Sequence, residues 1–226
     1  MGGGTAERPR IGLVTRAHAG VLLLDEAAEF SAGVLDALRQ SLETGTVSLA
    51  RSGFSAELPA RFQLVLATNP CPCGRALDPA GRPCSCSSIQ RRRYLARLEG
   101  PLLDRVDVRL TLRRPTLVEL ARDSGPSSAE VAGQVREARD RAAHRLRGTG
   151  WSIAAAVPAA AVRRWPLPDA TTAALDRLGR TGESVRGLDL CVRLAWTIAD
   201  LSGLAAPGPE ELAEAVALRD SEEWMS

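Results

Sequence analysis

Residues 20–30 read GVLLLDEAAEF, in which four consecutive apolar residues, Val21 to Leu24, run into two adjacent carboxylates, Asp25 and Glu26. So short and continuous a run predicts a strand buried on both faces, as in a parallel sheet flanked by helices. Carboxylates at the end of such a run are costly unless they are paired or bind a metal. A second apolar run, FQLVLAT (62–68), ends at Asn69. In open parallel sheets, ligands sit beyond the carboxyl ends of the strands. If the two strands are neighbours, Asp25, Glu26 and Asn69 converge there.

That trio has a chemistry. One carboxylate can hold Mg²⁺ on a nucleotide phosphate, and the next can take a proton from an attacking water. An Asn amide can orient that water or sense the terminal phosphate. Read alone, Asp25-Glu26 could equally be an ordinary strand-to-turn junction capped by acids; the Asn-ended second strand favours the functional reading.

Between the strands, Ser31 fits a helix N-cap. Val34, Leu35, Leu38 and Leu42 form one apolar helical face, and Gly45 ends it. TVSLARSGFSAEL (46–58) alternates around Ser52-Gly53 and predicts a β-hairpin. Residues 70–88 form a loop rich in Cys, Pro and Gly, and residues 89–99 a basic helix. LLDRVDVRLTL (102–112) reads as a helix end passing into a strand. Beyond Pro115 the pattern is helical, with a charged helix at 127–147 and further helices over 158–219 broken by Pro166, Pro168, Gly182 and Pro207. The expected organisation is therefore an α/β part over 1–115 and a helical part over 116–226.

The chain has 226 residues, 45% of them apolar, enough for a real core; with 4% aromatic residues that core must be aliphatic. The net charge of +2 says little about partners, but all 29 basic residues are Arg. Every cationic contact is thus a planar, permanently charged fork. No apolar run reaches membrane-spanning length and no export signal is visible, so the expected setting is a reducing cytoplasm without a membrane partner. There, clustered cysteines are more often metal ligands than disulfides.

Four of the five cysteines, Cys71, Cys73, Cys84 and Cys86, form C-x-C-x₁₀-C-x-C. Two close pairs of thiolates suit tetrahedral Zn²⁺, and a closed Cys₄ site is structural rather than catalytic. The competing reading is four free cysteines in a flexible loop. Cys191 lies in an apolar helical stretch and reads as core. The basic helix that follows the loop carries Arg91, Arg92, Arg93 and Arg97, and could meet DNA phosphates, a neighbouring subunit's acids or solvent.

Several stretches, in this order, resemble one known family: GGG…PR…AHAGVLLLDEAAEF, VLDALRQSLETGTVSLARSGFSAELPARFQLVLATNPCPCG, RRRYLARLEGPLLDRVDV and SVRGLDLCVRLAWTIADLSG. The chain is similar over essentially its whole length to the magnesium-chelatase-like AAA+ ATPases of the YifB/ComM branch. The resemblance implies a partial P-loop-type parallel sheet with flanking helices, followed by an all-α lid. It implies ring hexamers that use ATP and Mg²⁺ and, in the ComM type, migrate DNA branches. Asp25 and Glu26 match the Walker B pair and Asn69 matches sensor 1. Arg105 matches the arginine finger; its competing role is a salt bridge with Asp104 or Asp107. Arg186 matches the sensor 2 of the lid, with Arg193 as the weaker candidate. Arg51 stands beside the tip of the hairpin that in related helicases enters the pore, where one cation on a phosphate binds DNA without regard to sequence.

The family also needs a P-loop, G-x-x-x-x-G-K-[ST]. This chain has no such pattern and no Lys. The expectation is that it begins partway through the motor, exposes an apolar sheet edge, and is inactive alone. Two other readings stand beside that one: a zinc-stabilised, non-enzymatic DNA-binding or interaction module, and a fragment of a magnesium-chelatase ATPase subunit.

Overall fold

The computed structural model describes residues 11–51, 54–76, 82–98, 102–112, 115–121 and 125–219. The tip of the hairpin, Ser52-Gly53, and the side chains of Arg51 and Asp104 lie outside that description. The chain divides into two compact units. One comprises 1–106 with 111–114 and 222–226, and the other 107–110 with 115–221.

The first unit is mixed α/β. After a short helix α1 (Leu13–Arg16) come β1 (Val21–Leu24), α2 (Ala32–Thr44), the hairpin strands β2 (Thr46–Arg51) and β3 (Phe54–Pro59), β4 (Gln63–Leu66) and α3 (Ser88–Leu95). β1 and β4 pair in parallel, Val21 opposite Gln63 and Leu24 opposite Leu66. α2 and the hairpin therefore form the crossover that any parallel pair requires. β2 and β3 form the predicted antiparallel hairpin, Thr46 opposite Pro59 and Arg51 opposite Phe54.

Gly45 joins α2 to the hairpin at φ 71°, a left-handed cap that an L side chain resists. A Cβ there would also meet the Arg61 side chain at 2.9 Å. The Gly45 carbonyl accepts from the Ala60 amide at 2.8 Å, closing the base of the hairpin. His18 has a local structural role, its Nδ1 accepting from the Arg61 amide at 3.1 Å beside the start of β4.

The core of this unit is aliphatic, as the composition requires. Leu24, Leu35, Leu38, Leu95, Leu98 and Leu102 are buried with Tyr94, and Leu22, Leu64 and Leu66 pack against them. The expectation of strands buried on both faces is corrected. In β1 only Leu22 and Leu24 turn inward, whereas Val21 is 63% and Leu23 61% exposed; Val65 of β4 is 41% exposed. The described residues cover one side of this sheet. A second correction concerns 106–112, where no strand forms. Alternation alone does not make a strand without a neighbouring ladder, and Leu110 and Leu112 stay exposed.

The second unit is helical: α4 (Leu117–Ala121), α5 (Ser128–Arg145), α6 (Ala159–Val162), α7 (Asp169–Arg180), α8 (Val185–Ser202) and α9 (Pro209–Arg219). α5 opens with a reciprocal capping box between Ser127 and Glu130. α8 lies at its centre, burying Cys191, Val192, Ala195, Trp196 and Ala199. Cys191 is core, at 1% exposure. No described helix is long and apolar enough to cross a membrane.

Candidate functional site

The parallel register sets the first part of the site. Leu24 and Leu66 are opposite each other, so Asp25-Glu26 and the segment Ala67–Asn69 leave adjacent strands at the same end. Two backbone hydrogen bonds lock the junction: Ala67 N–H donates to the Leu24 carbonyl at 2.9 Å, and Ala27 N–H to the Ala67 carbonyl at 2.8 Å. Asp25, Glu26 and Asn69 are all exposed at this edge. A helical turn, Ala27–Glu29, follows, with Ala27 and Ala28 fully buried beneath it.

Glu26 has φ 50° and ψ 44°, in the left-handed region. For a residue with a Cβ this conformation costs free energy and persists only where the surroundings hold it. Here the Glu26 amide donates to Asp25 Oδ1 at 2.9 Å. From α3, Arg97 Nη1 donates to the Ala28 carbonyl at 3.0 Å, and its guanidinium stands 3.8 Å from Glu29. Tyr94, one turn back on the same helix and buried, hydrogen-bonds with Thr68 and Glu29. Burial pushes its phenol above the ordinary range; the Thr68 bond opposes that shift, and the Glu29 and Glu26 carboxylates add to it. Tyr94 and Arg97 support this edge without being part of the strand-end motif. Their spacing with Leu98 at i, i+3 and i+4 was the available signal.

Arg105 sits in a helical turn, Leu103–Arg105, and pairs with Glu43 of α2 at 2.6 Å. Among the described residues its ion-pair partner is Glu43; the Asp104 side chain lies outside the described residues. Burial raises the Glu43 carboxyl, but hydrogen bonds and charge from Arg39 and Arg105 outweigh it and hold the carboxyl below its usual range.

In the helical unit, Arg186 is exposed at the start of α8, while Arg193 is half-buried two turns on. Arg193 Nη1 donates to the Ala154 carbonyl and Nη2 to the Val157 carbonyl at 3.0 Å, so its fork is occupied in holding a loop. Burial pushes the Arg193 guanidinium down, against the charges of Asp107 and Asp189. Burial likewise raises the Asp107 carboxyl, against the pull of Arg193, Arg186 and Arg219. Of the two lid candidates, only Arg186 has a free approach from solvent. Arg51 ends β2 beside the hairpin tip, with its side chain outside the described residues.

The four clustered cysteines come together. Cys71 Sγ lies 3.4 Å from Cys73 Sγ and 3.7 Å from Cys84 Sγ, and Cys73 and Cys84 are 3.5 Å apart. All four sulfurs fall within 4.8 Å of one another. A disulfide would need about 2.05 Å. Four thiolates on tetrahedral Zn²⁺ at about 2.3 Å would stand about 3.8 Å apart. The observed spacing suits the cage. A hydrogen bond with the Arg75 backbone lowers the Cys73 thiol to about 6. Cys86 is pushed up to about 11: the Cys73 backbone favours its thiolate, but burial and the neighbouring Cys73 and Cys84 sulfurs outweigh that.

Comparison with known proteins agrees in both units. The family described as magnesium chelatase, subunit ChlI, matches residues 1–120, and its C-terminal counterpart matches residues 125–219. An uncharacterized protein of Mycobacterium tuberculosis strain H37Rv is 44% identical over 97% of this chain and 43% of its own length. Competence protein ComM of Haemophilus influenzae is 38% identical and YifB of Escherichia coli 36%, each over 97% of this chain and 42% of its own length. The chain thus spans less than half the length of these relatives. With both family segments matched in order and ComM and YifB among its relatives, the chain belongs to the magnesium chelatase subunit ChlI family.

Proposed function

We propose that this chain is the Walker B-to-lid portion of a cytoplasmic AAA+ motor of the ComM/YifB type, which in complete form remodels DNA at the expense of ATP. The observation that carries this reading is the parallel β1–β4 register, which sets Asp25-Glu26 and Asn69 at one strand edge. In the proposed roles, Asp25 holds the Mg²⁺ of the nucleotide and Glu26 takes the proton of the attacking water, while Asn69 orients that water. Arg105 reaches the nucleotide of a neighbouring subunit in a ring, exchanging its Glu43 partner for phosphate charge. Arg186 closes the site from the lid. The hairpin presents Arg51 to the DNA backbone. The name of the Haemophilus relative, a competence protein, fits a DNA-directed role.

The groups that cradle the phosphates are not in this chain, which has no P-loop pattern and no Lys. Its catalytic groups are therefore proposed to act only together with a segment that supplies one. In a chain extended by such a segment, Glu26→Gln is expected to bind ATP and turn it over at least about 100-fold more slowly, as loss of a general base dictates. Turnover at the parent rate would remove Glu26 from that role. Arg51→Ala is expected to weaken duplex binding and lower its salt slope by about one; an unchanged slope would count against the hairpin.

The Cys₄ cluster is proposed to hold a structural Zn²⁺. The ion would supply no chemistry to the reaction, only a rigid closure of the loop between Asn69 and α3. Metal binding requires thiolates. With Cys73 at about 6 and Cys86 at about 11, the empty cluster at pH 7 holds Cys73 ionised and keeps a proton on Cys86. Loading at pH 7 should therefore release protons, that of Cys86 among them, and affinity should rise with pH above neutrality. Calorimetry in buffers of different ionisation enthalpy counts those protons; none released would argue against thiolate ligation. The cage also supports the interaction-module reading, because it organises the basic segment that follows.

A further inference from the structure

Several of the described arginines are paired internally. Arg39 and Arg105 share Glu43, Arg141 meets Glu137, Arg145 meets Asp200, Arg163 meets Asp189 and Arg219 meets Glu183. From Pro79 to Leu98 there are five Arg and no acidic residue. Arg97 makes the contacts at the Glu26 turn described above. No side-chain hydrogen bond or ion pair joins Arg91, Arg92 or Arg93 to any described residue.

Helix α3 sorts these residues by face. Positions 91, 94, 95 and 98 recur at i, i+3, i+4 and i+7 and face the core: Arg91 is half-buried, and Tyr94, Leu95 and Leu98 are buried. The opposite stripe, 89, 92, 93 and 96, recurs in the same way and is Ile89, Arg92, Arg93 and Ala96. All four are exposed, Ile89 at 56%. The solvent face therefore carries two adjacent guanidiniums with no acidic partner among the described residues, between an exposed apolar side chain and a methyl group small enough to admit a close approach.

Two features hold that face in place. Ser87 and Gln90 form a reciprocal capping box, so the helix start is set at the residue following Cys86. Tyr94, Leu95 and Leu98 anchor the opposite side in the core. Long cationic side chains on a preorganised, acid-free face match a polyanion with regularly spaced charges. Each guanidinium that meets a phosphate releases condensed counterions, so contact is favourable without base recognition.

We propose that the Arg92–Arg93 face of α3 is a nucleic-acid backbone contact, a second DNA-binding element besides the hairpin. This rests on the DNA-directed reading above and adds to it where the phosphates lie.

The test uses the zinc-loaded chain as it is and a short fluorescein-labelled duplex of arbitrary sequence, with anisotropy measured across a salt series. Arg92→Gln with Arg93→Gln is expected to weaken binding roughly tenfold and to lower the salt slope by about two, at unchanged zinc content and melting temperature. A folded double variant with the parent's affinity and slope overturns the proposal. So does loss of self-association in sedimentation with an unchanged slope, which would make the face a contact between copies. Arg51→Ala is measured in parallel. If it alone lowers the slope, the DNA reading stands and the α3 contact falls; if neither variant changes a measurable slope, both fall. The Glu26→Gln turnover assay is independent of every arm.

Discussion

Cys84→Ser is expected to empty the metal centre and to destabilise the α/β unit more than any surface change. The parent should carry about one zinc per chain, released by chelator. Cys84 belongs to the second Cys pair and lies 3.5 Å from Cys73 and 3.7 Å from Cys71, so its loss opens the cage between the two pairs. Partners one layer outside a metal site are already worth about 10–100-fold in affinity. Removing a ligand itself costs at least the upper end of that range. A hundredfold is about 2.8 kcal/mol, or roughly 5–10 °C of melting temperature in a chain of this length. The variant should lose its zinc by elemental analysis, and excess zinc should no longer raise its melting temperature. A parent that purifies without metal from zinc-supplemented medium, or a variant with full zinc content, would sink the idea of a Cys₄ centre.

The second large effect is in the helical unit. Asp200, 4% exposed, accepts from Arg145 Nη1 and Nη2, at 2.5 and 2.7 Å. The Arg145 guanidinium lies 4.3 Å from the ring centroid of Trp196 and 5.6 Å from that of Trp165, and the two indoles meet edge to face at 6.3 Å. Arg141 also donates to the Asp200 carbonyl at 2.7 Å, tying α5 to α8 a second time. Asp200→Ala leaves a guanidinium among indoles with no counter-charge, the costly way to break a buried pair. The expected loss is about 3–5 kcal/mol by urea denaturation. Replacing Arg145 and Asp200 together should cost less than the sum of the two single changes, because the residual charge goes with its partner. A single-variant loss below about 1 kcal/mol would mean that the pair is solvated rather than buried.

Much of the site was legible because its signals are local. A carboxylate pair after an apolar run, an Asn after the next run, and C-x-C twice within sixteen residues are patterns of adjacency. The helices were legible for the same reason. Ser31 stands at the N-cap of α2, and Gly45 ends that helix in the conformation Gly favours.

What failed depended on partners distant in the chain. VDVRLTL alternates as a strand does, but a strand is a relation between two segments; among the described residues the ladders are β1 with β4 and β2 with β3. The exposure of Val21 and Leu23 likewise depends on what lies over the sheet, which no run of four residues encodes. Arg105 reaches Glu43, 62 residues earlier, a partner that no local pattern gives. Arg193 and Arg186 look alike in the sequence; packing alone separates one that braces the Ala154 and Val157 carbonyls from one open to solvent.

By itself, then, the sequence determined which residue types are available for chemistry and roughly where α2, the hairpin and the charged helix α5 lie. Those properties follow from side-chain spacing and backbone preference within a few residues. Tertiary structure alone decided that β1 and β4 are neighbours, that the two cysteine pairs meet within 4.8 Å, and which arginines are already occupied. Those outcomes need segments far apart in the chain to be brought together, at an entropic cost that only the packed core repays.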